Sequence, residues 1–310
     1  MKNVDQTVTP KKNTTPYHED RRNSLLTIIV PTVNRNNEFT RFINSLLIQT
    51  TELSQIELII VDQNKDDRIS KIINSLNCLK IIHLRVGKIG LSYAKNQALS
   101  KINGLFCCYL DDDCWLDKNA LKFLFSQLKL INPFEGLLMK AVTPEGKFLV
   151  PGKLRDGFIL NEKNLLEAFY APQIAQVYPT IVVKNLQGFN ENLGIGTQFG
   201  SAEDTDLLVR ALKCNIRFKY IEKVIIFHPE FDNRSSAFRK RYQYGLGFGA
   251  LCRIHNLKTY FFIKLLRSMV GFLMFLPFNW KTSFSYFFTL IGRLKGYSAS
   301  CNIPKMGKNA

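Results

Sequence analysis

Four apolar runs alternate with segments of helical periodicity over residues 25–130, and this alternation restricts the fold more than any other feature of the chain. The runs read LLTIIVP, IELIIVD, LKIIHLRV and LFCCYL. After the first run, apolar residues recur at helical spacing, namely Phe39, Phe42, Ile43, Leu46 and Leu47. Strands that alternate with helices predict right-handed crossovers and a mostly parallel, doubly wound, Rossmann-like sheet of the α/β class.

Acidic side chains follow two of the predicted strands. Asp62 ends the second strand, and Asp111, Asp112 and Asp113 follow the fourth. Ligands of such sheets bind beyond the carboxyl ends of the strands. Adjacent carboxylates repel one another, and Mg²⁺ or Mn²⁺ prefers oxygen ligands, so a divalent cation is expected here. Side chains alternate along an extended chain, which puts Asp111 and Asp113 on one side as a D-x-D pair.

The periodicity weakens after Pro133. We predict a helix at about 161–170 and a strand around Thr180–Val183. A glycine-rich loop, NENLGIGTQFGSAEDTD, then leads into the helix TDLLVRALK and the strand KYIEKVIIFH, which ends at His228. The sequence GLGFG lacks a preceding strand and therefore indicates close helix packing rather than a nucleotide-binding loop.

Positive charge is concentrated near the C-terminus. The formal net charge is +17, and thirteen Lys or Arg stand against one acid, Asp232, from Phe231 onward. Such a region predicts a phosphate-bearing partner such as anionic lipid, a nucleotide or nucleic acid. The aromatic residues of this region form long apolar runs instead of the interleaved pattern of nucleic-acid-binding folds, so we expect no nucleic-acid partner.

The segment 259–292 is apolar and aromatic but is interrupted by charged residues. Its uninterrupted part, Met269 to Phe278, is shorter than the roughly 20 residues that a membrane-spanning helix needs. We expect a helix that lies in the membrane interface, and the alternative is a helical cap on the core. The polar stripe of this helix is expected to comprise Lys264, Arg267, Ser268 and Gly271.

The cysteines and the N-terminus indicate a reducing compartment. Seven cysteines are an odd number, and they form no CxxC pair, so we expect reduced thiols. Residues 1–24 lack the apolar stretch of a secretory signal and are predicted to form a flexible polar tail.

Five motifs occur in the order and spacing of a known enzyme family. They are PTVNR (31–35), VDQN (61–64), GLSYAKN (90–96), YLDDDCWL (109–116) and GFNENLGIGTQFGSAEDTDLLVRAL (188–212). From about Leu26 to His228 the chain resembles the inverting family 2 glycosyltransferases of GT-A fold. The region beyond 240 resembles C-terminal regions of bacterial members that build surface polysaccharides.

The resemblance implies an activity and a set of site residues. A sugar would move from a UDP- or dTDP-linked donor to a hydroxyl of a saccharide or lipid-linked glycan. Asp204 would be the general base and Glu203 would position the acceptor, while Asp113 and His228 would bind Mn²⁺ or Mg²⁺. The nucleotide-sugar-binding positions would be Pro31, Thr32, Asn34, Asp62, Lys95, Asn96, Asp111 and Asp112.

Each of these residues also has an ordinary structural interpretation. Asp62 and the acids before LLVRAL can cap helices, Lys95 can lie on a helix surface, and a single His can simply pack. The chain also departs from the family at Ser201 and Ala202, where two glycines are often found.

The resemblance implies four regions. These are the tail at 1–24, a nucleotide-sugar-binding half at 25–130, an acceptor-binding and catalytic half at 131–230, and a basic helical region at 231–310. With anionic lipid as the partner of 231–310, the protein would be cytoplasmic and peripherally associated with the inner face of the plasma membrane.

Two other enzyme classes share parts of this pattern. A polyprenyl-phosphate sugar transferase has the same donor site, but its acceptor is already ionised, so loss of Asp204 would matter little. A sugar-1-phosphate nucleotidyltransferase needs a glycine-rich loop after the first strand, and PTVNRNNEF has no glycine.

Overall fold

A nine-stranded sheet organises the chain. The computed structural model describes residues 24–74, 76–148, 154–171, 173–229 and 237–303, so nearly all of the predicted tail at 1–24 lies outside the described residues. The strands are β1 (Leu26–Thr32), β2 (Ile56–Asp62), β3 (Lys80–Arg85), β4 (Phe106–Tyr109), β5 (Trp115–Leu116), β6 (Gly136–Val142), β7 (Ile159–Leu160), β8 (Gln176–Pro179) and β9 (Phe218–Phe227). Their order is β3-β2-β1-β4-β8-β6-β9-β5, and β7 also pairs with β9.

The first half of the sheet is parallel as predicted. Strand β1 pairs in parallel with β2 and β4, and β2 pairs in parallel with β3. Strand β8 is antiparallel to both β4 and β6, although β6 and β9 are parallel. The prediction of a mostly parallel sheet is therefore wrong for the second half, because β8 runs antiparallel to both of its neighbours, and the whole sheet is mixed.

The predicted strand around Thr180–Val183 is also wrong. The strand is β8, which ends at Pro179, and helix α5 begins at Thr180. Proline has no N–H to donate to a sheet ladder, yet it fits well at the start of a helix, so Pro179 marks the change of structure.

Helices cover both faces of the sheet. They are α1 (Asn37–Leu47), α2 (Arg68–Ile73), α3 (Leu91–Gln97), α4 (Ala120–Leu128), α5 (Thr180–Asn185), α6 (Glu203–Lys213), α7 (Ala237–Ile254), α8 (Lys258–Phe275) and α9 (Trp280–Ala299), and a 3₁₀ segment spans Glu162–Tyr170. One apolar cluster contains residues of α1, α2 and α4, and a second contains residues of α3, α5 and α6. Cys108 lies in the first and Cys107 in the second, as strand alternation requires. The seven cysteines are all free thiols.

Helices α7, α8 and α9 form the C-terminal region. GLGFG lies within α7, and a Cβ on Gly245 or Gly249 would collide with the backbone of α9. In the same way, a Cβ on Gly292 or Gly296 would collide with the backbone of α7. The prediction that GLGFG serves close helix packing is confirmed. Among the described residues, no helix is long and apolar enough to cross a membrane.

Three of the four residues of the predicted polar stripe of α8 contact other parts of the protein. Ser268 is buried and accepts a hydrogen bond from Arg293 at 2.6 Å, and Gly271 packs against the ring of Tyr286 on α9. The Nζ of Lys264 donates to the hydroxyl of Tyr170 at 3.1 Å. Helix packing and hydrogen bonds therefore take up Lys264, Ser268 and Gly271, whereas Arg267 of the same stripe is exposed.

Candidate active site

A short pairing after the three aspartates builds a potential metal site. Strand β5 follows the aspartates and pairs antiparallel with the end of β9, with Trp115 opposite Phe227. This pairing brings Asp113 to His228, whose Nε2 lies 3.1 Å from Oδ1 of Asp113 and 3.8 Å from Oδ2 of Asp111. One ligand atom from each of these three residues lies within 4.8 Å of the others.

The donor set of this cluster fits a divalent cation. The Nδ1 of His228 lies 2.7 Å from the carbonyl oxygen of Pro229. A hydrogen bond from Nδ1 to that carbonyl leaves Nε2 facing the two carboxylates, to which it donates when it is protonated. Without that proton, Nε2 would offer its lone pair to a cation, as metal-binding histidines do. Two carboxylates with one imidazole suit Mn²⁺ better than Mg²⁺, which prefers oxygen alone.

An arginine from the first motif lies beside the same carboxylates. Arg35 forms an ion pair with Asp113, and its Nε lies 3.4 Å from Oδ1 of Asp112. Burial alone would raise the pKa of Asp113, but hydrogen bonds from His228 and Arg35 lower it to about 2. Burial raises the pKa of Asp112 to about 6. Arg35 is a site residue that the sequence prediction omitted, although it is part of PTVNR.

A second charged cluster contains the predicted base. The Nζ of Lys95 on α3 lies 2.7 Å from Oδ1 of Asp204 and 3.9 Å from Oε1 of Glu203 on α6. Lys95 is buried, and its Nζ also lies 4.7 Å from the ring centroid of Phe189. Burial alone would lower the pKa of Lys95, but the two carboxylates raise it above its ordinary value. Lys95 therefore is not on a helix surface and contacts the candidate base.

The two clusters are electrostatically linked. Burial raises the pKa of Asp111, Lys95 lowers it, and the charges of Asp204 and Asp113 raise it further. The potential metal site and the candidate base therefore lie close enough to affect each other, and a bound cation would relieve the repulsion among their carboxylates.

The ionised form of Glu203 destabilises the folded protein. Burial and the neighbouring Asp204 raise its pKa from 4.5 to about 7. The unfolded chain loses this proton at lower pH than the folded chain, so this group makes stability fall as pH rises from about 4.5 to 7. A shift of this size corresponds to roughly 3 kcal/mol at most.

We expect Glu203→Gln to stabilise the protein at pH 8 by up to about 3 kcal/mol and much less at pH 5, because glutamine does not ionise. Chemical denaturation at the two pH values measures the difference. The same change at exposed Glu52 is the control, with little effect at either pH. An equal gain from Glu203→Gln at both pH values would contradict this assignment.

The loop before α6 adopts a conformation that favours glycine. Ala202 has φ +79°, in the left-handed region, and is the N-terminal flanking residue of α6. This is one of the two positions where the family often has glycine. The loop also contacts the C-terminal region, because the Ser201 hydroxyl donates to the carbonyl oxygen of Gln243 at 3.3 Å.

Ala202→Gly should raise the free energy of unfolding by about 1 kcal/mol, because an alanine side chain strains a left-handed backbone. Ala171 provides a matched control, since it is buried in an extended backbone with φ −76°. Ala171→Gly should lower the free energy of unfolding instead. Thermal denaturation of both variants tests the strain, and a loss of stability in Ala202→Gly would contradict it.

Asp206 joins α6 to the C-terminal helices. It is buried, and its Oδ2 accepts from Nε of Arg210 at 2.8 Å while its Oδ1 lies 2.8 Å from Nε2 of His255. His255 lies between α7 and α8, and its carbonyl oxygen accepts from Nζ of Lys213 at 3.2 Å. Asp206 thus has a structural role, and His255, for which the sequence suggested nothing, is its partner.

The residues at the ends of β1 and β2 lie together, and the side chains of Asp62 and Asn64 are already hydrogen-bonded within the protein. Thr32 is opposite Asp62 in the sheet. Oδ1 of Asp62 accepts from the backbone and side chain of Asn64 at 2.9 and 2.7 Å, and its Oδ2 lies 3.0 Å from Nε2 of His83. The Asn64 side chain also accepts from the backbone N–H of Asn34 at 2.7 Å. Pro31 lies within the same strand end, and nucleotide binding by this group stays a prediction.

Asn96 connects two of the motifs. Its side chain donates to the carbonyl oxygen of Phe189 at 2.9 Å and accepts from the N–H of Phe189 at 2.8 Å. The amide also donates to Glu191 at 3.1 Å. These bonds fix α3 to the loop that leads toward Glu203, so Asn96 positions the site.

Comparison with known proteins supports the motif-based prediction. Residues 27–132 match the family model described as glycosyl transferase family 2. This part of the chain is a family 2 glycosyltransferase domain. The resemblance drawn from the five motifs is therefore confirmed at the level of the family.

Two curated relatives are glycosyltransferases by name. The poly(ribitol-phosphate) beta-N-acetylglucosaminyltransferase TarS of Staphylococcus aureus strain Mu50 is 32% identical over 99 residues, which cover 31% of this chain and 17% of TarS. The GalNAc(5)-diNAcBac-PP-undecaprenol beta-1,3-glucosyltransferase of Campylobacter jejuni is 26% identical over 172 residues, which cover 54% of this chain and 55% of that enzyme. The glycosyltransferase domain and its surroundings thus match only a part of each relative.

Solved structures extend the similarity beyond the matched domain. A crystal structure of Staphylococcus aureus TarS in complex with UDP-GlcNAc has a TM-score of 0.57 and covers 86% of this chain and 90% of that chain, at 16% identity. This likeness shows a GT-A-like fold around the glycosyltransferase domain.

Proposed function

We propose that this protein is an inverting glycosyltransferase that moves a sugar from a nucleotide-diphosphate sugar to a hydroxyl group. The observation that carries the proposal is the position of Asp204. One of its oxygens is held by buried Lys95, and its charge acts on Asp111 of the adjacent potential metal site. A proton acceptor therefore lies beside a site suited to a diphosphate and its cation.

In the proposed reaction, Asp204 accepts the proton of the attacking hydroxyl. Lys95 engages Oδ1, and we assign Oδ2 to that proton. Lys95 fixes the carboxylate in one orientation, which matters because a general base must lie within hydrogen-bond reach of the proton. Neutral Glu203 can donate a hydrogen bond to the acceptor, and its pKa of about 7 allows this near neutral pH.

Asp111, Asp113 and His228 are the residues proposed to hold Mn²⁺ or Mg²⁺. A bound divalent cation would supply a Lewis acid that offsets the charge on the departing diphosphate. Arg35 adds a fixed positive charge next to Asp112 and Asp113. The donor is proposed to be UDP- or dTDP-linked. Its uracil or thymine ring would lie near Pro31, Thr32, Asn34 and Asp62, and the Asp62 carboxylate would accept a hydrogen bond from the imide N–H of that ring.

The acceptor is proposed to be a saccharide or a lipid-linked glycan. One relative acts on an undecaprenol-linked glycan by its name, and another acts on poly(ribitol-phosphate). In this chain a cavity of about 250 Å³ opens between residues 88–93, which include the start of α3, and residues 191–198 of the loop that leads to Glu203. We propose that this cavity receives part of the acceptor. We also propose that the protein acts at the inner face of the plasma membrane, in the synthesis of a surface polysaccharide.

Calorimetric titration with UDP, dTDP, GDP and CDP, with and without Mn²⁺, tests the donor site. Metal-dependent binding of UDP or dTDP is the expected result. A folded sample that binds none of the four nucleotides would overturn the proposal. Transfer that survives the loss of Asp204 would instead favour a polyprenyl-phosphate acceptor.

A further inference from the structure

The outer surface of α8 is an apolar face without charge. Seven residues at helical spacing are exposed, with Leu266 and Leu273 at its centre. The full set is Phe262, Ile263, Leu266, Met269, Val270, Leu273 and Met274. Seven large apolar side chains in one stripe are unusual for a surface that contacts only water. We call these seven residues the apolar face of α8.

The apolar face continues around the turn and onto α9. In the turn, Phe278 is 85% exposed and Trp280 is 59% exposed. Along α9, the exposed apolar residues Phe284, Ile291 and Leu294 lie on the same side as Trp280, at spacings of four, eleven and fourteen residues. The two helices therefore present one surface, with aromatic rings where a membrane interface favours them.

The hairpin of α8 and α9 is internally well packed, so this surface is not left exposed by loose packing. The Ser283 hydroxyl donates to the carbonyl oxygen of Phe272 at 2.7 Å. Arg293 donates to Ser268 and to the carbonyl oxygen of Lys264. Burial of the Arg293 guanidinium lowers the pKa of this residue to about 10. Ser268, Ser283 and Arg293 are thus hydrogen-bonded within the hairpin, and large apolar side chains remain on its outer surface.

We propose that the apolar faces of α8 and α9 insert side by side into the interfacial region of an anionic lipid bilayer. Exposed Arg267, Lys281 and Lys295 lie beside the apolar surface, where long cationic side chains can reach lipid phosphates. The chain has no acidic residue after Asp232. A second copy of this chain would bring the same positive charges against them, which favours lipid as the occupant.

This inference names the surface that serves the membrane location proposed above, and it does not depend on the transfer chemistry. Flotation of the purified full chain with vesicles tests it. We expect binding to vesicles that contain phosphatidylglycerol and roughly tenfold weaker binding to vesicles of phosphatidylcholine alone. A wild-type protein that floats with neither kind of vesicle would overturn the inference, as would a dimer whose interface buries this face.

A triple variant locates the binding surface. Ile263→Ser, Leu266→Ser and Leu273→Ser together should weaken vesicle binding by more than about tenfold, because binding strength follows buried apolar area. The matched control removes three apolar side chains that are at least as exposed but lie outside helices α7 to α9, and it should bind as wild type does. Its changes are Ile48→Ser, Leu130→Ser and Phe134→Ser.

Nucleotide binding separates this inference from the proposed function. If the triple variant keeps metal-dependent UDP binding but no longer floats, the apolar face is the lipid-binding surface. If wild type floats but binds no nucleotide, the transferase proposal fails while the inference stands. Equal flotation of the triple variant and the control would overturn the inference.

Discussion

Asp204→Asn should lower the rate of sugar transfer by about 10²- to 10⁴-fold, while nucleotide binding remains close to wild type. An amide cannot accept the proton of the attacking hydroxyl, yet it has nearly the same size and can still accept a hydrogen bond from Lys95. Initial rates with a radiolabelled donor, together with calorimetry, measure both properties on the same sample. Wild-type rates in this variant would remove Asp204 from the base role.

Glu203→Gln is the matched control, because the two carboxylates are neighbours that contact the same lysine. Glu203 is already neutral in part near pH 7, so its amide should keep most of the activity at neutral pH. If Glu203→Gln loses as much activity as Asp204→Asn, the base could be either carboxylate and the assignment would be wrong. If neither variant loses activity, an acceptor that is already ionised, such as a polyprenyl phosphate, becomes the better explanation.

The first half of the fold could be predicted because its signals are local. Apolar runs and helical spacing between residues 25 and 130 gave strands β1 to β4 and their parallel pairing, and the motifs placed Asp62 and Asp111 at strand ends. These signals depend on neighbouring residues in the sequence. Tertiary packing did not need to override them.

Helix α6 and strand β9 of the second half were predicted, but the strand pairing was not, because the crossover rule for parallel strands does not apply to the antiparallel pairs β4–β8, β6–β8 and β5–β9. Strand β5 has only Trp115 and Leu116, which no periodicity can reveal, yet this pairing with β9 brings Asp113 to His228. The same holds for Asp206 and His255, which are 49 residues apart. Candidate ligands could thus be named from the sequence, whereas their contacts with each other could not.

The contacts of α8 could not be predicted from the sequence for a related reason. The sequence shows Lys264 and Ser268 as part of one polar stripe, but in the fold Lys264 bonds to Tyr170 of the 3₁₀ segment and Ser268 bonds to Arg293 of α9. The partner segments lie 25 or more residues away, outside any local pattern. Helical spacing therefore found the two faces of α8, but it could not show which segments the polar stripe contacts.

Asp113→Asn should abolish transfer and also weaken Mn²⁺-dependent nucleotide binding, in contrast to Asp204→Asn. Asp113 is proposed to hold the cation, and an amide there would lose a charged ligand and leave Arg35 and His228 without their carboxylate partner. Titration with UDP in the presence and absence of Mn²⁺ gives the metal-dependent part of the affinity directly.

Lys95→Met serves as the comparison for this last variant. It removes a buried charge beside Asp204 but none of the proposed metal ligands, so it should impair transfer while the dependence of UDP binding on Mn²⁺ persists. The two clusters would then be separated by function, one holding the diphosphate and its cation and the other handling the proton. Metal-dependent UDP binding that is undiminished in Asp113→Asn would show that the cation is held elsewhere, because a three-residue site cannot lose a charged ligand without a loss of affinity.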